Sequence, residues 1–114
     1  MSTDIAALKR QLKIKSGAAK RLTKENGMYR KEAEELKRKL DKLIADGSSP
    51  DEWDVKNATR LCEESNKMVD DSSSRMGIAV EGLRDLVIQA KKESTLSQDE
   101  DLLGAEEVLE HAAV

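Results

Sequence analysis

Residues 4–45 read DIAALKRQLKIKSGAAKRLTKENGMYRKEAEELKRKLDKLIA, and the spacing in this stretch decides the fold. The steps alternate between three and four residues without a slip, and no proline interrupts them. The repeat runs through Ile5, Leu8, Leu12, Lys15, Ala19, Leu22, Asn26, Tyr29, Ala33, Leu36, Leu40 and Leu43. A period of 3.5 sustained this long indicates one helix, roughly 60 Å in length, with a narrow coiled-coil seam. Because such a helix is not stable alone, the rest of the chain must cover it.

The composition fits long helices better than a thick globular core. Of 114 residues, 38% are charged and 2% aromatic, with no Phe, so we expect one helical domain over residues 1–114. No apolar run suits a membrane span, the N-terminus lacks a signal-like apolar region, and the single Cys cannot form an internal disulfide. A cytoplasmic protein is therefore expected.

Charge is divided unevenly along the chain. Residues 1–45 hold 13 Lys/Arg and 6 Asp/Glu (+7), and residues 46–114 hold 7 and 17 (−10), which together give −3. We expect the first helix to pack against acidic later helices, to offer a basic face to an acidic partner, or both. Within the basic block, Gly17 is either a tolerated glycine or a point where another helix or a partner comes close.

Capping signals divide the rest of the chain into two further helices. Gly47 suits the end of helix one, and Ser49 and Glu52 form a capping box around Pro50 for a second helix over about 51–92. Its seam repeats the spacing of helix one, which favours a long antiparallel αα-hairpin. The low-propensity stretch 70–74 predicts a bend or irregularity in helix two without a clean break.

The apolar face of helix two widens where Val80 and Val87 join its seam, which predicts two neighbouring helices there. The second neighbour is a helix over about 98–112, with Ser97 as N-cap and Glu100 closing the capping box. We expect it to lie along the latter half of helix two and the first half of helix one. The predicted fold class is all-α: an antiparallel three-helix bundle built on a long αα-hairpin with a shorter C-terminal helix. Ser2, Thr3 or Asp4 can cap the helix that begins near residue 4.

No pattern of catalytic or metal-binding residues is found in the sequence. Cys62 lies on the seam and His111 near the terminus, and we expect packing for the first and no chemical role for the second. The two acidic clusters open helices two and three, where carboxylates favour the helix dipole. Trp53 is expected to pack near Leu43 and Ile44. We predict a protein that is not an enzyme and uses no cofactor.

Several segments resemble the tubulin-binding cofactor A family. They are LKIKSGAAKRLTKE (12–25), MYRKEA (28–33), ESNKMVDD (64–71), Arg75 and AVEGLRDL (79–86), within a resemblance that covers about residues 8–90. The order of Lys, Gly, Lys-Arg and Tyr in the first block is not dictated by the heptad. The sequence departs from the family at residues 69–72, where Val-Asp-Asp-Ser replaces a frequent Ile-Pro-Asp-Cys, and in its short acidic C-terminus.

The resemblance implies a three-helix bundle that holds β-tubulin after its release from the cytosolic chaperonin and passes it on for αβ-heterodimer assembly. It implies a cytoplasmic, cytoskeleton-associated protein without metal, nucleotide or catalysis, possible contacts with other tubulin-folding cofactors, and none with nucleic acid or membrane. A monomer is expected, with a dimer not excluded. The resemblance also implies that partner contacts lie on outer helical faces. The matching positions are Lys13, Lys15, Lys20, Arg21, Lys24, Tyr29, Lys31, Glu64, Met68 and Arg75.

Two other function classes compete with this interpretation. A homodimeric coiled-coil adaptor or scaffold would pair helix one with its own copy, but the hairpin signals at residues 47–50 disfavour it. A nucleic-acid binder would use the basic block at residues 9–24, and the scarcity of aromatics and the acidic remainder disfavour that.

Overall fold

The computed structural model describes residues 4–112, which form three α-helices and a short 3-10 turn, with no strand in that range. The helices are α1 (Ile5–Ala45), α2 (Trp53–Lys91) and α3 (Glu100–Ala112), and the 3-10 turn spans Ser94–Leu96. The predicted all-α, three-helix fold class is confirmed. The described parts of 1–24 and 75–114 form one compact unit, and residues 25–74 form another. The assignment of residues 1–114 to a single domain stays a prediction.

The first unit, called here the three-helix unit, contains the start of α1, the end of α2 and all of α3. Its core draws on α1, α2, α3 and the 3-10 turn. The buried side chains of this core are Leu8, Leu12, Ala19, Val80, Leu83, Val87, Ala90, Leu96, Leu102 and Ala105. The widened face of α2 therefore meets both neighbouring helices, as predicted. Leu96, only 2% exposed, enters this core from the 3-10 turn, at a position that no heptad spacing marks.

The N-terminus of α3 differs from the prediction. The helix begins at Glu100, and Asp99 Oδ2 accepts the backbone N–H groups of Asp101 at 2.9 Å and Leu102 at 3.4 Å. Asp99 is therefore the N-cap, and the prediction of Ser97 is wrong. The physical reason is that Ser97 closes the preceding 3-10 turn, where its own N–H donates to the carbonyl of Ser94.

The N-terminus of α1 is capped by Asp4, whose Oδ1 accepts the backbone N–H of Ala7 at 3.1 Å. The capping bond satisfies one of the donors that the first turn of a helix leaves free. The other two candidate caps, Ser2 and Thr3, lie outside the described residues.

The second unit, called here the hairpin unit, contains the end of α1, the connecting turn and the first part of α2. Gly47 has a φ of 90° and ends α1 as predicted. The N–H groups of Gly47 and Ser48 donate to the carbonyls of Ile44 and Leu43, both at 3.1 Å, which is the Schellman arrangement. On the other side of the turn, the N–H of Ser49 donates to Glu52 Oε1 at 3.3 Å, so the reciprocal half of the predicted capping box is formed.

Trp53 does not pack against Leu43 and Ile44, so that prediction is wrong. Its side chain is 73% exposed, whereas Val55 is 5% exposed. Because α2 begins at Trp53, the two side chains stand about 200° apart around the helix, and burying Val55 turns Trp53 to solvent.

A buried polar cluster joins the two helices at the end of the hairpin unit that lies away from the connecting turn. Asn26 Nδ2 donates to Ser72 Oγ at 2.9 Å and to Ser73 Oγ at 2.8 Å. Arg30 Nε donates to Asn26 Oδ1 at 2.9 Å, and Ser72 Oγ donates to the carbonyl of Val69 at 3.0 Å. α2 runs unbroken through this weak stretch, where Ser72 and Ser73 accept hydrogen bonds from Asn26.

Candidate partner-binding surface

The predicted partner-binding side chains lie on the surface, with the exception of Tyr29, which is half-buried. The members in the three-helix unit are Lys13, Lys15, Lys20, Arg21, Lys24 and Arg75. The members in the hairpin unit are Tyr29, Lys31, Glu64 and Met68. Lys15 occupies a position of the predicted seam but is exposed, because a lysine side chain is rarely buried without a partner.

In the three-helix unit, α1 and α3 together line a surface groove of about 650 Å³. Its α1 wall consists of Lys13, Ser16, Gly17, Lys20, Thr23 and Lys24. Its α3 wall consists of Glu100, Asp101, Gly104, Glu107, Val108 and His111. Each wall follows one helix for about three turns, roughly 16 Å. Three of the predicted partner-binding lysines are therefore brought together in one row, which we call the lysine row (Lys13, Lys20 and Lys24).

The opposite wall carries three carboxylates, called here the acidic row (Glu100, Asp101 and Glu107). Among residues 4–112, no ion pair within bonding distance joins the two rows. The contacts that attach α3 lie elsewhere: Lys9 Nζ is 3.0 Å from Asp99 Oδ1, and Lys91 Nζ is 3.6 Å from Glu106 Oε2. α1 thus does pack beside an acidic helix, as the charge division predicted, while its lysine row keeps its charges available.

The ion pair between Lys9 and Asp99 is the better enclosed of these attachments, since the side chain of Asp99 is 11% exposed. The hydrogen bond from Lys9 lowers the pKa of the Asp99 carboxyl, and the backbone N–H groups of Asp101 and Leu102 lower that pKa further. The same hydrogen bond, together with the charge of Asp99, raises the pKa of Lys9. Asp99 therefore both caps α3 and anchors its first turn to α1.

Glycines face each other across the groove. Gly17 stands on the α1 wall and Gly104 on the α3 wall. Apart from the adjoining backbone of its own helix, no heavy atom of the described residues lies within 4 Å of where a Cβ would be at either position. A close approach of another helix of this chain is therefore not the reason for Gly17. Beside it, Ser16 Oγ is buried and has no hydrogen-bond partner within the described part of the chain.

A shallower depression of about 530 Å³ lies on α1 in the hairpin unit. It brings together Tyr29 and Lys31 from the predicted set with Met28, which is 65% exposed, and an acidic cluster of the same helix. Tyr29 Oη donates to Glu25 Oε1 at a long 3.5 Å. Glu64 lies on α2, where Arg60 Nη1 bonds to its Oε1 at 2.8 Å.

The surface also carries exposed apolar side chains, and none of them was predicted from the sequence to be exposed. Those with large exposed fractions are Ile14, Met28, Ile44, Trp53, Ile78, Ile88 and Leu103. These residues lie outside the heptad seam, and that position in the sequence could have predicted that they face solvent. Exposed Trp and Met side chains are frequent anchors in protein interfaces.

Side chains of His, Cys, Asp and Glu are the ones that could hold a metal ion or, in the case of Cys, supply a reactive thiol. Between residues 4 and 112 there is no group of three His, Cys, Asp or Glu side chains arranged to hold a metal ion. Cys62 is a half-buried free thiol, and His111 Nδ1 lies 2.9 Å from the carbonyl of Glu107. None of the helices over the same range is long and apolar enough to span a membrane.

Comparison with known proteins identifies the family. A family model described as tubulin binding cofactor A matches residues 7–109. The chain belongs to the tubulin binding cofactor A family. Among its relatives, tubulin-specific chaperone A of Gallus gallus is 36% identical over 101 residues, which cover 89% of each chain. The protein of the same name from Homo sapiens is 35% identical over 101 residues, covering 89% of this chain and 83% of the relative.

Solved structures of the cofactor A family share the fold. Human tubulin chaperone cofactor A aligns with a TM-score of 0.81 and 31% identity, covering 94% of this chain and 99% of the human chain. Tubulin folding cofactor A from Arabidopsis thaliana aligns with a TM-score of 0.83 and 25% identity, covering 94% and 96%. The resemblance first seen in the segments around residues 12–33 therefore extends over nearly the whole chain.

Proposed function

We propose that this protein is a tubulin-folding cofactor that captures β-tubulin after its release from the cytosolic chaperonin and holds it for αβ-heterodimer assembly. The observation that carries the proposal is the family match over residues 7–109, to relatives that are named tubulin-specific chaperones. Holding occurs by non-covalent contact on helical faces, without catalysis, and the protein acts as a monomer in the cytoplasm. Tubulin is its principal partner.

The lysine row supports this role through its charge. Lys13, Lys20 and Lys24 are exposed, and none of them forms an ion pair within residues 4–112. Exposed lysines that form no ion pair can attract the acidic groups of a partner and so raise its association rate. We therefore propose that the row speeds the capture of an acidic client, whereas Glu64 and Met68 act on its release. Glu64 and Met68 lie on α2, and close contact between them and the client would slow its dissociation.

The test is capture of β-tubulin from a chaperonin folding reaction, read as a complex on a native gel. The variant carries Lys13→Glu, Lys20→Glu and Lys24→Glu. We expect its association rate to fall at least about ten-fold at low salt, and the rate of the wild-type chain to fall as salt screens exposed charges. Thermal unfolding of the same variant establishes that it is folded.

A matched control reverses three exposed lysines of the same helix outside the groove, at Lys37, Lys39 and Lys42. This control makes the same change in net charge, so a general charge effect would slow both variants equally. An equal loss in both variants, or full-rate capture by the folded groove variant, rejects the role of the lysine row. Failure of the wild-type chain to capture β-tubulin rejects the proposed function itself. Sedimentation of the purified chain near 12.6 kDa is the expected result for a monomer, and a dimer would instead favour the adaptor interpretation.

A further inference from the structure

The groove between α1 and α3 has two walls of opposite charge, and this pattern restricts what can enter it. The lysine row lines one wall and the acidic row lines the other for about three helical turns. A segment with carboxylates alone would gain from the first wall and be repelled by the second. A segment with lysines alone would meet the reverse. Complementary charge therefore requires acidic groups on one flank of the guest and basic groups on the other.

The backbone of the guest must satisfy its own hydrogen bonds. The α1 wall consists of interior turns, whose backbone N–H and C=O groups are paired within the helix. On the α3 wall, the first-turn N–H groups of Asp101, Leu102 and Leu103 bond to Asp99. An extended strand laid into such a groove would find few backbone partners, and unpaired buried backbone groups are costly. A helix pairs its own backbone and so fits this groove.

The floor of the groove allows a helix to come close. Gly17 and Gly104 face it from opposite walls with open space at both Cβ positions. Small residues at a contact let two helices approach each other closely, and Val108 adds an apolar surface beside them.

We propose that the groove docks an amphipathic helix of about three turns, with a small apolar ridge, an acidic flank against the lysine row and a basic flank against the acidic row. The inference rests on the proposed function only in taking the client as the protein that supplies this helix. Because turning a helix end for end exchanges its flanks, the guest can satisfy both walls in one direction only.

The experiment uses the full chain and three fluorescent, hydrocarbon-stapled helical peptides that share a ridge of Ala and Leu. One peptide carries Glu on one flank and Lys on the other, the second carries Glu on both flanks, and the third carries Lys on both. Binding is measured by fluorescence anisotropy at low salt. We expect the mixed peptide to bind at least about ten-fold more tightly than either uniform peptide, which is about 1.4 kcal/mol. Equal binding of the all-Glu peptide, or no saturable binding of the mixed peptide, overturns the proposal.

Two variants locate the binding site. Gly17→Leu fills the groove beside its α1 wall and should weaken binding of the mixed peptide at least about ten-fold. The matched control is Gly27→Leu, at an open glycine of α1 outside the groove, and it should leave peptide binding unchanged. The double variant Glu100→Lys with Glu107→Lys makes the α3 wall basic and should switch the preference to the all-Glu peptide. Unchanged binding in Gly17→Leu, or an unchanged preference in the double variant, places the peptide elsewhere and overturns the proposal.

Capture of β-tubulin by the same variants separates this inference from the proposed function. Parallel losses of peptide binding and tubulin capture in Gly17→Leu support the groove as the client site. If Gly17→Leu loses peptide binding but captures β-tubulin fully, the groove is not the client site, and the proposed function is unaffected. A wild-type chain that binds the mixed peptide but captures no tubulin rejects the proposed function and supports the groove as a helix-binding site.

Discussion

The buried polar cluster around Asn26 gives the sharpest test of the hairpin unit. Asn26 is 4% exposed and makes two short bonds to Ser72 and Ser73, while Arg30 bonds to its Oδ1. Each such hydrogen bond contributes about 1 kcal/mol net to the free energy of unfolding. Asn26→Ala removes all three bonds and leaves a small cavity. We expect it to lower the free energy of unfolding by about 2–3 kcal/mol.

Replacement of the same side chain by leucine should cost much less. In Asn26→Leu the site stays filled, and Ser72 keeps its bond to the carbonyl of Val69 at 3.0 Å. Ser73 is half-buried, so its hydroxyl can turn to water. Apolar replacement of a hydrogen-bonded group can be nearly neutral when the remaining partners stay satisfied, so we expect a loss within about 1 kcal/mol.

The measurement is urea unfolding followed by far-UV circular dichroism, with Asn66→Ala as the control. Asn66 is an exposed side chain of α2, so its truncation should change the free energy of unfolding by less than about 0.5 kcal/mol. The expected order of destabilisation is Asn26→Ala well above Asn26→Leu, with Asn66→Ala near zero. If the two changes at Asn26 cost the same, or if Asn26→Ala behaves like the surface control, the cluster does not stabilise the hairpin as described.

Three further predictions concern the three-helix unit and the surface. Leu83→Ala should lower the free energy of unfolding by about 2–5 kcal/mol in urea, because Leu83 is fully buried, whereas Lys39→Ala should cost less than about 0.5 kcal/mol; equal losses would contradict the described core. Asp99→Asn should lower the melting temperature between about pH 4 and 10. In the wild-type chain, the stabilisation from the ion pair should be lost as the pH falls through the pKa of Asp99, and the variant should lack this part of the pH dependence. The sign follows because the lowered pKa of Asp99 makes the pair stabilising above the ordinary carboxyl value of about 4, and the raised pKa of Lys9 keeps it until above about 10.5; identical pH profiles would exclude this anchor. Gly77→Ala should raise stability by about 0.5–1 kcal/mol in thermal unfolding, since α2 is helical there and nothing lies within 4 Å of the new Cβ; a loss would show that the position is crowded.

Features set by local periodicity and local capping were predictable from the sequence. The 3-4 spacing predicts which side chains face a neighbouring helix, so Leu8, Leu12 and Ala19 were expected in the seam and are buried. Gly47 was assigned to the end of α1 because a positive φ favours glycine, and its φ is 90°. These rules act within a few residues and need no knowledge of the packing.

Features that depend on distant residues were not predictable in the same way. In the sequence, Asn26 is a polar residue in an otherwise apolar part of the seam. Its role depends on Ser72 and Ser73, which lie more than forty residues later and accept its hydrogen bonds. Asp99 displaces Ser97 as the cap of α3, and the carboxylate that caps this helix is also held by Lys9 of another helix. Leu96 is buried from a 3-10 turn whose geometry follows no heptad.

The groove could not be predicted from the sequence, because its position depends on how α3 is attached to the other helices and not on the residue pattern of α1 or α3 alone. The sequence shows that Lys13, Lys20 and Lys24 share one face of α1, and that acidic residues cluster on α3. It does not show that these faces would line one groove without pairing across it. The attachments at Lys9–Asp99 and Lys91–Glu106 satisfy other charges of α3, so the acidic row is left facing the lysine row across open space. The sequence suggests that these opposite charges pair with each other. In the folded unit they instead form two separate rows, and a third helix can contact both.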